Sequence, residues 1–168
     1  GGVMVARAWE IFDTAGLERA KTGIAAHSTD MALNAIKGAD AILFVVDGRA
    51  GLLPEDLDWA RTVRRNSRAP VLLLVNKAES DRRLGNLDDF YKLGFGEPEL
   101  ISAEHKRGFS QIYEFLDKIG SDTDAAPADT DARLKIAVMG QPNVGKSTFV
   151  NRVLGQQRQI VKDEPGVT

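Results

Sequence analysis

Short apolar runs alternate with amphipathic stretches along most of this chain, a rhythm that predicts buried parallel strands joined by crossover helices. Val3–Phe12 reads as a strand, Ser28–Lys37 as a helix and Ala41–Asp47 as a strand. Pro54–Arg65 reads as a helix with proline in its first turn, where an N–H has no partner to lose. Pro70–Asn76 is the next strand, followed by a polar segment around Asp81–Asp88 and a short strand at Glu99–Ser102. Phe109 to Ile119 carries apolar residues at helical spacing.

The character then changes. Gly120–Ala132 is small, acidic and proline-containing, with no large apolar residue to anchor it, which is the composition of a solvated linker. Beyond it, Leu134–Met139 is again a strand, followed by a glycine loop and a helix from Lys146 to Leu154. The last residues, around Pro165-Gly166, read as an open loop, as if the chain were cut from a longer one.

Composition keeps the chain in the globular class: 43% of its 168 residues are hydrophobic and 27% charged, enough for a core and a wetted surface. With a net charge of −2, no global basic surface argues for direct nucleic-acid binding. Arg61, Arg64, Arg65 and Arg68 read first as a solvated helix face and second as a docking patch. The absence of cysteine excludes disulfides and thiolate metal sites and fits a cytoplasmic location. The longest apolar runs are too short to span a bilayer, so no membrane association is expected.

The strongest chemical signal is Gly140-Gln-Pro-Asn-Val-Gly145-Lys146-Ser147, which fits the GxxxxGK[ST] phosphate loop between an expected strand and an expected helix. Such a loop turns successive N–H groups, here those around Asn143, Val144, Gly145 and Thr148, and a helix N-terminus toward anionic oxygens. Lys146 adds a point charge for the terminal phosphates and Ser147 a ligand for Mg²⁺.

A phosphate loop does not choose the base. Val75-Asn76-Lys77-Ala78-Glu79 resembles the NKxD element with which GTPases read guanine, with Glu79 in place of the usual Asp. Ser102-Ala103, also at a strand end, resembles the companion element whose backbone faces the guanine O6. Asp13-Thr14-Ala15-Gly16 resembles DxxG, in which the aspartate supports Mg²⁺ and the glycine touches the γ-phosphate. Leu17 follows it where many small GTPases place glutamine, and leucine cannot orient an attacking water. Pro165-Gly166-Val167-Thr168 resembles a first switch, with Thr168 as a third Mg²⁺ ligand. Asp47-Gly48-Arg49 lies at a strand end where ligands gather, but a turn suffices to explain it. His27, His105, Trp9 and Trp59 read as surface or packing residues.

DTAGL, ADAILFVVDGRAGLLPED, VNKAE, LGFGEPELISAEH, the acidic linker and KIAVMGQPNVGKSTFVNRVLG together resemble the bacterial Der (EngA) GTPases. That resemblance covers nearly the whole chain. It implies two tandem G domains in the intact protein, GTP hydrolysis, a role in assembling the large ribosomal subunit, and a K⁺ ion held partly by Asn143. On it, residues 1–119 are the later part of one G domain, 120–132 a linker, and 133–168 the start of a second.

The expected fold is therefore an α/β three-layer sandwich of the P-loop NTPase type with a mostly parallel sheet. Two arrangements follow. Either the chain holds two half sites, or the C-terminal strand adds to the exposed sheet and completes one G domain in permuted order, since about 35 residues bury too little surface to fold alone. In the second case Lys146, Ser147, Asp13, Asn76 and Glu79 line one site, and the ligands are GTP or GDP with Mg²⁺. A non-catalytic nucleotide-dependent module is the competing class, and an ATPase a third.

Overall fold

The computed structural model describes residues 9–13, 25–78, 87–122, 134–141 and 144–157. Five strands form one sheet: β1 (Trp9–Asp13), β2 (Ala41–Asp47), β3 (Val71–Asn76), β4 (Glu99–Leu100) and β5 (Leu134–Gly140). Four helices accompany them: α1 (Ala25–Gly38), α2 (Pro54–Asn66), α3 (Phe109–Asp122) and α4 (Lys146–Gln157). The strand order is β1-β5-β2-β3-β4, and every pairing is parallel.

Alternation along β2 shows how the layers form. Ala41, Leu43 and Val45 share a core with Leu134, Ile136 and Val138 of β5, with Ile112 and Leu116 of α3, and with Phe149 and Val153 of α4. Ile42, Phe44 and Val46 point the other way, to Ile36 of α1 and to Ala60 and Val63 of α2. A strand covered on both faces needs apolar side chains at consecutive positions, which is why these runs are continuous rather than alternating in polarity.

Of the two arrangements left open by the sequence, the structure has the C-terminal strand added to the sheet, in its interior rather than along an edge. β5 sits between β1 and β2, with Ile136 in register with both Ile11 and Ala41. Ile136 through Met139 are all buried, and only an interior position hides both faces and pairs both edges of such a strand. The sheet is thus completed in permuted order by β5, and α4 follows it onto the α3 face.

Local signals account for the helix ends. Pro54 opens α2, and the Asp56 carboxylate accepts the Leu53 amide at 3.0 Å, satisfying a donor that precedes the first turn. Glu55 and Asp56 begin this helix while Arg64 and Arg65 end it, matching its dipole.

Three further differences from expectation are local. β4 has only two residues, paired with Leu74 and Val75. A 3₁₀ helix at Leu87–Leu93 buries Phe90 and Leu93 completely, although the segment before it reads as polar. α3 runs on to Asp122, past the expected boundary at 119. The rest of the expected linker, and residues 3–8 of the first expected strand, lie outside the described residues.

Candidate functional site

Parallel strands deliver all their carboxyl ends to one side of the sheet, which is where such sheets bind ligands. β1 ends there at Asp13, β2 at Asp47, β3 at Asn76 and β5 at Gly140. Register fixes the neighbours: Asp13 lies opposite Val138, Val45 opposite Gly140, and Asp47 opposite Asn76.

α4 begins at Lys146, six residues after the end of β5 at Gly140. Gly145 has φ 96°, and a Cβ on it would run into the Asn76 amide nitrogen. At Gly140, φ 155°, a Cβ would strike the Val45 carbonyl. Both glycines are therefore required by close approach as well as by backbone shape. Lys146 begins α4 with 3% of its surface exposed, and its ammonium donates to the Gly140 carbonyl. That contact ties the end of β5 to the first residue of α4 and holds the charge at the helix N-terminus.

Asn76, at the end of β3, joins two loops that are distant in sequence. Its Nδ2 donates to the Val144 carbonyl at 2.7 Å, and its Oδ1 accepts from the Ala103 amide at 2.9 Å. The opposite chemistry of the two partners fixes the orientation of the side-chain amide. The residue is 3% exposed, so each bond is shielded from competing water. Asn76 is expected to read guanine and Ala103 to offer its N–H to the base; here both groups bond within the chain, and Asn76 acts as a clamp between two loops.

Ser102 is buried and accepts the His105 amide at 3.3 Å on its Oγ. Its backbone pairs with Arg107 in both directions, closing a tight loop over residues 102–107. Arg152 of α4 grips this loop from the other side: Nε donates to the Ala103 carbonyl at 3.2 Å and a terminal nitrogen to that of Glu104 at 2.9 Å.

Arg49, Asn76, Lys77, Ala103, Glu104, Gly145 and Thr148 line one open cavity of about 200 Å³. Asp47 stands beside it, its Oδ2 accepting Lys77 Nζ at 3.0 Å. Burial pushes the Asp47 carboxyl up, but Lys77 and the amides of Arg49 and Ala50 outweigh this and hold it below the usual value.

Of the residues expected from sequence, Asn76, Lys77, Ala103, Gly145 and Thr148 thus meet around one cavity, with Gly140, Val144, Lys146 and Ser102 directly behind. Asp13 ends the neighbouring strand and Ser147 is the second residue of α4. Asn143, Gly16, Glu79 and Thr168 lie outside the described residues. Glu104 and Arg152 were not foreseen, and Arg49 was read as part of a turn at a strand end where ligands gather. The turn after β2 hinted at Arg49, whereas nothing in the sequence marks an arginine six residues into a helix.

A family described as "50S ribosome-binding GTPase" matches residues 3–77 and 135–168, more than half of the chain. The chain belongs to this family. Among curated relatives it is similar to the GTPase Der of Acinetobacter baumannii, 42% identical over 159 residues that make up 94% of this chain and 34% of that protein. It is 44% identical over 165 residues to the GTPase Der of Aromatoleum aromaticum, covering 96% of this chain and 37% of that one. With the GTPase Der of Burkholderia multivorans the identity is 42% over 171 residues, covering 99% and 38%. The chain thus spans 34% to 38% of the length of these relatives. Among the described residues, no helix is long and apolar enough to cross a membrane.

Proposed function

We propose that this chain binds GTP and GDP in one site assembled from both ends of its sequence, and that the protein containing it hydrolyses GTP while large ribosomal subunits are assembled in the cytoplasm. The observation that carries this reading is the Asn76 clamp, which ties the guanine-element strand to the phosphate loop at 2.7 Å and to the Ser102-Ala103 loop at 2.9 Å. Residues 68 positions apart are brought together as a nucleotide site requires. The family match and the likeness to Der proteins support the same reading.

In this reading the loop amides from Gly140 to Thr148 and the Lys146 ammonium take the phosphates, while Asn76, Lys77, Glu79, Ser102 and Ala103 form the base end. The cradle favours a phosphate: glycine is enforced at 140 and 145, and a buried ammonium stands at a helix N-terminus. Ser147, Asp13 and Thr168 would hold Mg²⁺, which would supply positive charge to offset that of the nucleotide's phosphates. Asn143 would help to hold K⁺. The chain's own contribution to hydrolysis is position and charge, with Lys146 fixed before substrate arrives. The segments 1–119, 120–132 and 133–168 remain our division of the chain, with the first and last contributing to one sheet.

Titration with a fluorescent GDP analogue in Mg²⁺ and K⁺, with ATP and GTP as competitors, tests this. Saturable binding displaced by GTP and not by ATP is expected, and Lys146→Ala or Asn76→Ala should each abolish it. A wild-type chain without guanine preference sinks the one-site reading. Phosphate release over several turnovers separates a GTPase from a module that only binds, and exchanging K⁺ for Na⁺ should slow that release.

A further inference from the structure

Lys77 is held in an unusual way. It follows β3 with φ 66°, a left-handed conformation that costs a side-chain-bearing residue about 1–2 kcal/mol. That backbone sends its ammonium across to the end of β2, where Asp47 Oδ2 receives it at 3.0 Å. Asp47 is itself fixed from several directions. Its Oδ1 accepts the amides of Arg49 at 2.8 Å and Ala50 at 3.2 Å. Its backbone carbonyl accepts Gly51 N–H at 3.1 Å, while the next amide, Gly48, donates to the Asn76 carbonyl at 2.8 Å.

Lys77 lines the cavity described above, and Asp47 is not among the described residues that do. The pair is partly shielded, with side-chain exposures of 33% and 17%, so its attraction is stronger than that of a surface pair. A lysine tethered at its charged tip presents its methylene chain as a wall, an apolar surface against which a flat ring can lie.

We infer that Asp47 is a positioning residue for nucleotide recognition: it anchors the Lys77 ammonium so that the lysine stem stands as one wall of the base end of the cavity. The inference rests on the proposed nucleotide site and adds a residue that never touches the ligand. Two physical effects favour the anchor. It removes rotamer freedom from Lys77 before binding, so less is lost when the ligand arrives. It also offsets the strain of the left-handed backbone, which would otherwise relax and swing the side chain away.

The test is a double-mutant cycle read by the affinity for a fluorescent GDP analogue, using the full chain with Mg²⁺. Asp47→Asn keeps a carbonyl oxygen for the Arg49 and Ala50 amides and removes the charge that holds Lys77. It should weaken binding about fivefold. Lys77→Met should weaken it at least as much, and adding Asp47→Asn to Lys77→Met should cost nothing more, because the anchor has nothing left to hold. Asp47→Ser, too short to reach Lys77, should behave as Asp47→Asn. Either a full fivefold further loss in the Lys77→Met background or wild-type affinity in Asp47→Asn overturns the inference while leaving the nucleotide site standing. A wild-type chain that fails to bind the analogue overturns both.

Discussion

The ring of Phe149 on α4 packs edge-on against Phe109 at the start of α3, with centroids 5.5 Å apart and planes at 61°. Phe149 is 1% exposed and Phe109 in turn meets Tyr113 edge-on at 6.4 Å. This contact seats the helix that carries Lys146 onto the part of the chain that carries Asn76. Replacing Phe149 with alanine leaves a cavity between the two helices and should destabilise the fold by about 3–5 kcal/mol. Urea denaturation should show the loss, and nucleotide affinity should fall with it because α4 loses its seat.

Arg152 makes a second, polar connection between the same parts of the chain. Its guanidinium serves two backbone carbonyls in the loop after β4, so Arg152→Ala should cost about 1–2 kcal/mol. Lys in its place should recover less than half of that, since a single ammonium lacks the fork that reaches both carbonyls. Hydrogen exchange should report the change most sharply at the amides of residues 102–107.

The fold was legible in the sequence wherever one element's signal is local. Ala41–Asp47 is a strand at the positions its apolar run indicates, and Pro54 marks the start of α2. The phosphate loop announces Gly140, Gly145 and Lys146 through spacing alone. The place of β5 in the sheet is another matter, because its neighbours β1 and β2 lie more than ninety residues away and no local pattern names them. The apolar run on both faces of β5 was the available clue to an interior strand. The engagement of Asn76 with Val144 and Ala103 was equally out of reach, since a motif names a residue type and a side-chain bond depends on which loops meet. Phe90 and Leu93 were passed over because their 3₁₀ helix has neither a strand nor an α-helix period.

Asp56 gives the protein a distinctive pH response. Burial raises its carboxyl to about 6 against a hydrogen bond from Leu53, and among the described residues its Oδ1 has no partner. Since the folded value lies above the unfolded one, the folded state binds the proton more tightly. The stability this confers is complete below about pH 4 and is lost as pH rises through 6, by on the order of 2–3 kcal/mol. Thermal unfolding at pH 5 and pH 7.5 should therefore differ less in Asp56→Asn than in the wild type. An unchanged difference between the two proteins would assign the response to other groups.

Lys106 occupies the tight loop closed by Ser102 and Arg107 with φ 58°, a conformation that side chains resist. Its surface is exposed, so replacing it loses little packing. Lys106→Gly should stabilise the protein by roughly 0.5–1 kcal/mol and raise the unfolding midpoint by about 2 °C, measurable by scanning calorimetry.

The central position of β5 bears on how the sheet holds together. Among the described residues β1 pairs with β5 alone, while β2 pairs with β5 along one edge and with β3 along the other. With β5 withdrawn, β1 and β2 would each show an unpaired row of amides and carbonyls along an apolar strand, the kind of edge that captures other strands. β5 therefore closes this sheet by insertion rather than by extension, and the place of β1 in it depends wholly on the segment that ends at Gly140.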